Sequence, residues 1–130
     1  MFEGGAMSAK VMIVDDSLMV RQQVRSALDG AGFAVIEAHD GADALGKLVA
    51  FPETSLVILD INMPNMNGIE FLQSLRGTGQ HSQLPVVMLT TEGHPELMRQ
   101  AKSLGAKGWI IKPFKAELLI AAVQRLTCAA

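Results

Sequence analysis

Five short apolar runs alternate with five stretches of helical periodicity along this chain. Lys10 to Val14 (KVMIV) is the first run, and it ends at Asp15-Asp16-Ser17. Ser17 to Asp29 then carries Val20, Val24, Ala27 and Leu28 on one face, with Arg21, Gln22 and Arg25 elsewhere. That spacing predicts a helix capped by Asp16 or Ser17 and stopped by Gly30 and Gly32. Phe33 to Ala38 predicts a second strand. A second helix begins at Asp40-Gly41, with Leu45, Leu48 and Val49 facing inward and Pro52 helping to end it. Residues 56 to 60 (LVILD) are the third run, four apolar residues leading straight into a carboxylate, which reads as a strand buried on both faces.

Gly68 to Arg76 predicts a helix that buries Phe71, Leu72 and Leu75 and ends at Gly77 and Gly79. Pro85 to Thr90 is a fourth strand. Pro95 to Leu104 is a helix with Leu97, Ala101 and Leu104 inward, Pro95 in its first turn and Gly105 as its C-cap. Gly108 to Lys112 supplies a fifth strand and Lys115 to Leu126 a last helix, using Leu119, Val123 and Leu126. Strict alternation with short connections predicts an α/β fold, because parallel neighbours need crossover helices. Crossovers of one hand make the sheet doubly wound, with a switch point near the ends of the first and third strands.

Composition narrows the class. The 130 residues are 49% hydrophobic and 18% charged, which suits one globular domain and excludes a disordered chain. A net charge of −2 without basic clusters offers nothing to nucleic acid or to an anionic membrane. No apolar run approaches the ~20 residues that span a bilayer. Residues 1–9 read as a flexible leader, with Met7 a candidate start, and residues 128–130 as a tail. Nothing in the leader resembles a signal peptide, and the single Cys128 cannot form an internal disulfide, so a cytoplasmic location is expected.

The chemistry gathers at the strand ends. The first carries Asp15 and Asp16, the third Asp60, the fourth Thr90 and Thr91, and the fifth Lys112. All are expected to open onto one edge of the sheet, where ligands of such folds sit. Each residue alone could be a cap or turn former. Together they put three carboxylates against one ammonium, so either like charges push a carboxyl pKa up or the site takes a cation. Mg²⁺ suits one or two carboxylates with retained waters and bridges to phosphate oxygens. Lys112 and Thr90 could then receive oxygens of a phosphoryl group transferred to Asp60.

These residues resemble the receiver domain of bacterial two-component response regulators, in particular stand-alone chemotaxis regulators of the CheY kind. The matching stretches are Val14-Asp15-Asp16-Ser17, Asp60-Ile61-Asn62-Met63-Pro64, Met88-Leu89-Thr90, and Gly105 through Phe114 (GAKGWIIKPF). Coverage runs from about Lys10 to Leu126, so residues 10–127 are expected to form the domain. The resemblance implies a flavodoxin-like sheet of order 2-1-3-4-5 with five helices; flavodoxin and CheY are the standard examples of that order. It implies Asp60 as phosphoacceptor, Asp16 as direct Mg²⁺ ligand, Asp15 acting through water, and Asn62 lending its backbone carbonyl. Thr90 matches the switch hydroxyl and Lys112 the phosphoryl-contacting lysine, with a cis Lys112-Pro113 peptide. Trp109 stands where the family has a switch Tyr or Phe, and Asn62 and Glu92 occupy the positions that tune dephosphorylation.

The implied function is a switch rather than an enzyme: a histidine kinase donates phosphate, and the face of the fourth helix, fifth strand and fifth helix binds a target. That face would use Met98, Lys102, Lys107, Trp109, Lys115 and Gln124. A flagellar motor switch protein is the chemotaxis version of the target, with a phosphatase as a further partner and a monomer as the state. A phosphorelay carrier or phosphate sink would share the same residues. A haloacid-dehalogenase-type phosphatase would place its nucleophile after the first strand with a second Asp two residues on, whereas here the pair is adjacent. A flavodoxin-like electron carrier would need a Thr/Ser/Gly-rich phosphate loop where Asp15-Asp16 would repel phosphate. An interaction module that is never phosphorylated would have no use for the five site residues. His39, His81 and His94 lack the spacing of a metal cluster, and most of the methionines fall at core-like positions.

Overall fold

The computed structural model describes residues 9–63, 66–77, 81–91 and 95–127. The leader up to Ser8, Glu92, His94 and the tail from Cys128 therefore lie outside the described residues. Ten elements alternate: β1 Lys10–Val14, α1 Leu18–Gly30, β2 Ala34–Ala38, α2 Gly41–Ala50, β3 Leu56–Asp60, α3 Gly68–Gly77, β4 Val86–Thr90, α4 Pro95–Ser103, β5 Gly108–Ile111 and α5 Ala116–Thr127. The strands pair in parallel in the order β2-β1-β3-β4-β5, the order the resemblance implies.

Alternation along each strand divides the core in two. Met12, Val14, Val57, Leu59, Val86 and Met88 point to one face and meet Ala44, Leu48, Phe71, Leu72, Leu75 and Ala101 of α2, α3 and α4. Val11, Ile13, Leu56, Ile58, Val87 and Leu89 point to the other and meet Val24, Leu28, Leu119 and Val123 of α1 and α5. The central strands β3 and β4 are buried at every position, which is why they read as unbroken apolar runs. One inward assignment is corrected. Val49 is 81% exposed, and Ala44 and Leu48 make the buried contact of α2, one helical turn apart.

Local capping agrees with the sequence at both termini facing the site. The Ser17 hydroxyl caps α1 by accepting from the Val20 amide, and Asp40 caps α2 by accepting from Asp43. Before α3, Asn67 and Glu70 exchange reciprocal bonds at 2.9 Å, a capping box. Gly32 and Gly105 take left-handed backbone after α1 and α4, with φ of 93° and 88°. Among the described residues, no helix is long and apolar enough to cross a membrane.

Candidate functional site

The carboxyl edge of the sheet carries the polar residues. Asp15 and Asp16 follow β1, Asp60 ends β3, Thr90 ends β4 and Lys112 follows β5. The register keeps them level, since Val14 pairs with Leu59, Asp60 with Leu89, and Thr90 with Ile111. Asp15 and Thr90 are wholly buried, Asp60 is 4% exposed, and Asp16 faces solvent. One carboxylate oxygen from each of Asp15, Asp16 and Asp60 lies within 4.8 Å of the others.

Backbone contacts hold this cluster. The Asp15 amide donates to Ala38 on β2 at 3.1 Å, and the Ser17 amide donates to Asp15 Oδ1 at 2.8 Å. The Lys112 amide donates to the Thr90 carbonyl at 2.6 Å, and the Lys112-Pro113 peptide that follows is cis. Lys112 Nζ lies 2.8 Å from Asp15 Oδ2 and 3.5 Å from Asp60 Oδ1. Asp15 Oδ2 thus has the Lys112 ammonium as ion-pair partner and no hydrogen-bond partner among the described residues. The Thr90 hydroxyl has none either.

Burial, more than anything else, raises the Asp60 carboxyl from 3.8 to about 6; the Asp15 charge adds to the rise, and Lys112 and the Asn62 amide oppose it. Asp60 is therefore ionised near neutrality only against the resistance of its surroundings. A small hard cation would relieve it. Three oxygen-donor carboxylates, one with an oxygen lacking a hydrogen bond and one open to water, fit such an ion.

Other candidate residues surround this centre. Asn62 is exposed two residues beyond Asp60. Trp109 pairs with Met88 across β4–β5 and packs half-buried on the core beneath α2, α3 and α4. Its Nε1 is buried without a partner among the described residues. His39 is exposed and lies 3.4 Å from Asp40 and 3.6 Å from Asp43, apart from the cluster.

Two contributors are not evident from the sequence. Gly68 suggests a turn, yet its stronger reason is contact: a Cβ there would sit 2.5 Å from the Asp60 carbonyl oxygen and 2.9 Å from Ile61 Cα. The start of α3 thus rests on the Asp60–Ile61 peptide, and the Gly68 amide donates to Ile61 at 2.9 Å. Arg21, read as part of a polar face, donates to the Asp15 carbonyl at 2.7 Å. A charged Glu37 inside the apolar β2 was the one signal in the sequence that pointed to its partner.

Fold and site together define a receiver, the phosphorylation-responsive class of two-component signalling domain. The sequence profile of the response regulator receiver domain matches residues 11–124, and the chain belongs to that family. It is 35% identical over 111 residues to chemotaxis protein CheY1 of Helicobacter pylori, covering 85% of this chain and 90% of that protein. It is also 35% identical over 120 residues to response regulator MprA of Mycobacterium tuberculosis, covering 92% of this chain and 51% of MprA. A crystallised chemotaxis protein CheY4 of Vibrio cholerae superposes with a TM-score of 0.85 at 43% identity, over 92% of this chain and 98% of that one. The family is one of signalling proteins rather than of metabolic enzymes.

Proposed function

We propose that this receiver is switched by transient phosphorylation of Asp60, in chemotaxis, with Mg²⁺ held by Asp15, Asp16, Asp60 and the Asn62 carbonyl. The observation that carries the reading is the Asp60 carboxylate itself, buried at the end of the central strand and sharing its pocket with Asp15 and Lys112. Solvated caps would need neither the burial nor the lysine.

An Asp60 oxygen attacks the phosphorus of a kinase phosphohistidine. The O–P bond forms as the P–N bond breaks, and the imidazole leaves with the bonding pair and takes a proton from solvent. Lys112, already within ion-pair reach of Asp60, neutralises a phosphoryl oxygen, and the Thr90 hydroxyl, without a partner among the described residues, donates to another. When bound, Mg²⁺ offsets the charge that accumulates on the transferred oxygens. Water later attacks phosphorus and returns the Asp60 carboxylate and inorganic phosphate, and Asn62 and Glu92 stand at the sequence positions that tune that attack in the family. The chain catalyses these steps on itself alone.

The output face is α4-β5-α5. A groove of ≈ 460 Å³ there is lined by Pro95, Met98, Arg99, Lys102, Lys107 and Trp109. Its three cations around an apolar floor suit an acidic peptide segment, and the likeness to CheY1 and CheY4 favours a flagellar motor switch protein as its source. Thr90, moving toward the phosphoryl group, and Trp109, at the groove, would relay the change to that face. A cytoplasmic monomer serving one histidine kinase and one phosphatase completes the reading.

Incubation with acetyl phosphate and Mg²⁺, followed by intact mass, tests the centre of it. A phosphoryl adduct on the unsubstituted protein and none on Asp60→Asn is the expected result. Equal adducts on both would remove Asp60 from the role.

A further inference from the structure

The acidic corner of the site is held by a side chain that supplies no group to it. Arg21, on the first turn of α1, donates from Nη1 to the carbonyl oxygen of Asp15 at 2.7 Å. That oxygen belongs to the peptide joining Asp15 to Asp16. The Nε of the same guanidinium donates to Glu37 Oε1 on β2 at 3.0 Å, and the Arg21 side chain is only 15% exposed. Glu37 is fixed in turn. Its second oxygen accepts from Arg25 Nε at 2.7 Å and its carbonyl from Lys47 Nζ at 2.6 Å. Edge strand β2 gives the site no ligand of its own, yet through Glu37 and Arg21 it is tied to the backbone of the acidic pair.

A peptide unit is planar, so fixing the direction of the Asp15 carbonyl also fixes the plane from which Asp16 leaves. Asp16 needs this from its backbone. Its side chain faces solvent and makes no hydrogen bond or ion pair with the described residues, whereas Asp15 is held by Ser17 and Lys112. We propose that Arg21 is the positioning residue of the acidic pair: anchored by Glu37, its guanidinium holds the Asp15–Asp16 peptide in the orientation that presents Asp16 to the divalent cation. This rests on the Mg²⁺ reading above. Partners that orient metal ligands from outside the coordination shell set affinity without touching the ion.

The alternative is that Arg21 merely staples α1 to β2. Arg25 separates the two roles, because it binds the same carboxylate and the Val35 carbonyl at 3.1 Å, whereas only Arg21 of the two hydrogen-bonds Asp15. Mg²⁺ titration by calorimetry is run on the full chain and on Arg21→Ala, Arg25→Ala and Glu37→Gln, each checked for folding by urea denaturation. Hydrogen exchange of the Ser17 amide is followed in the metal-free proteins. Arg21→Ala is expected to weaken Mg²⁺ about ten-fold and to speed Ser17 exchange. Arg25→Ala should stay within about two-fold of the unsubstituted protein, as removal of a partly exposed ion pair does. Glu37→Gln, which keeps the side-chain shape, should weaken Mg²⁺ in the same direction and by less. Unchanged Mg²⁺ affinity in Arg21→Ala, or an equal loss in Arg25→Ala, overturns the assignment. An unsubstituted protein that takes no Mg²⁺ overturns the metal reading and this proposal with it.

Discussion

The two ends of the sheet treat buried polar groups in opposite ways. At the amino end, Arg76 reaches from the last turn of α3 and donates to the carbonyls of Leu104 at 2.7 Å, Leu84 at 2.8 Å, Ser82 at 3.1 Å and Gly105 at 3.3 Å. Partial burial lowers its pKa, and four carbonyl dipoles stand in for a carboxylate. Gly105 allows the approach, since a Cβ there would lie 3.4 Å from the guanidinium in a left-handed backbone. At the carboxyl end, three carboxylates crowd, Asp60 is raised to about 6, and Thr90 Oγ1 and Asp15 Oδ2 lack hydrogen-bond partners among the described residues. The amino end is complete without a ligand and contributes stability. The carboxyl end is left in deficit, as a site is when a ligand is to complete it.

Breaking the complete end should cost most. Arg76→Ala removes a charged donor from four carbonyls that tie α3, the stretch before β4 and the α4–β5 turn together. Each charge-assisted bond contributes about 1.5–3 kcal/mol in isolation, and water entering the gap recovers part, so a net loss of about 3 kcal/mol is expected in urea denaturation. The yield of phosphoryl adduct per folded molecule should not change. A fall in adduct yield among folded molecules would mean the two ends are coupled rather than separate.

The deficient end should respond with the opposite sign. Asp60 holds its proton up to about pH 6 in the folded protein, against 3.8 when unfolded. Below the lower value both states are protonated and the residue contributes nothing. As pH rises between the two, the unfolded chain releases its proton first, so stability falls, and above the folded value the full penalty remains. With allowance for screening from the open side, that penalty is about 2 kcal/mol. Metal-free Asp60→Asn should therefore be more stable than the unsubstituted protein by about that amount near pH 7.5. The advantage should vanish at a pH below 3.8. Glu37 has the reverse linkage: chiefly its bond from Arg25 lowers its carboxyl below 4.5, and its contribution is lost as pH falls through the folded value. Both proteins share that loss, so it cancels in the difference. A gain that persists in acid would trace to packing instead of charge.

The deficient end was the more legible in the sequence. A buried strand reads as an apolar run, and a carboxylate, hydroxyl or lysine where the run stops stands out against it, which marked Asp15, Asp60, Thr90 and Lys112. The contacts that complete the molecule carry no such contrast. Arg76 looked like an ordinary polar position near a helix end, because its partner Leu104 is 28 residues away and the acceptors are backbone. Gly68 suggested a turn, because its contact with the Asp60 carbonyl exists only once α3 is docked. Val49 was read as inward beside Leu48, but the buried face of α2 is made by Leu48 and Ala44 while Val49 turns to solvent. Hydrophobicity marks what tends to be buried; it does not choose between neighbours 100° apart on a helix.

Thr90 offers the finest test of the contrast. Its hydroxyl is buried and has no hydrogen-bond partner among the described residues, so in the resting state it contributes desolvation cost without a bond. Valine has nearly the same shape and removes that cost. Thr90→Val should raise metal-free resting stability by about 1 kcal/mol, whereas a hydroxyl that contributed to the resting fold would make the same change a loss. Asp60, the proposed nucleophile, and the Lys112 charge are both kept, so the acetyl phosphate adduct should still form. What should disappear is the fluorescence response of Trp109 to phosphorylation, since the donor proposed to move toward the phosphoryl group is gone. A stabilised variant that takes phosphate and leaves Trp109 silent would show that the unpaired hydroxyl serves the switch and not the fold. A full Trp109 response in that variant would place the relay elsewhere on β4.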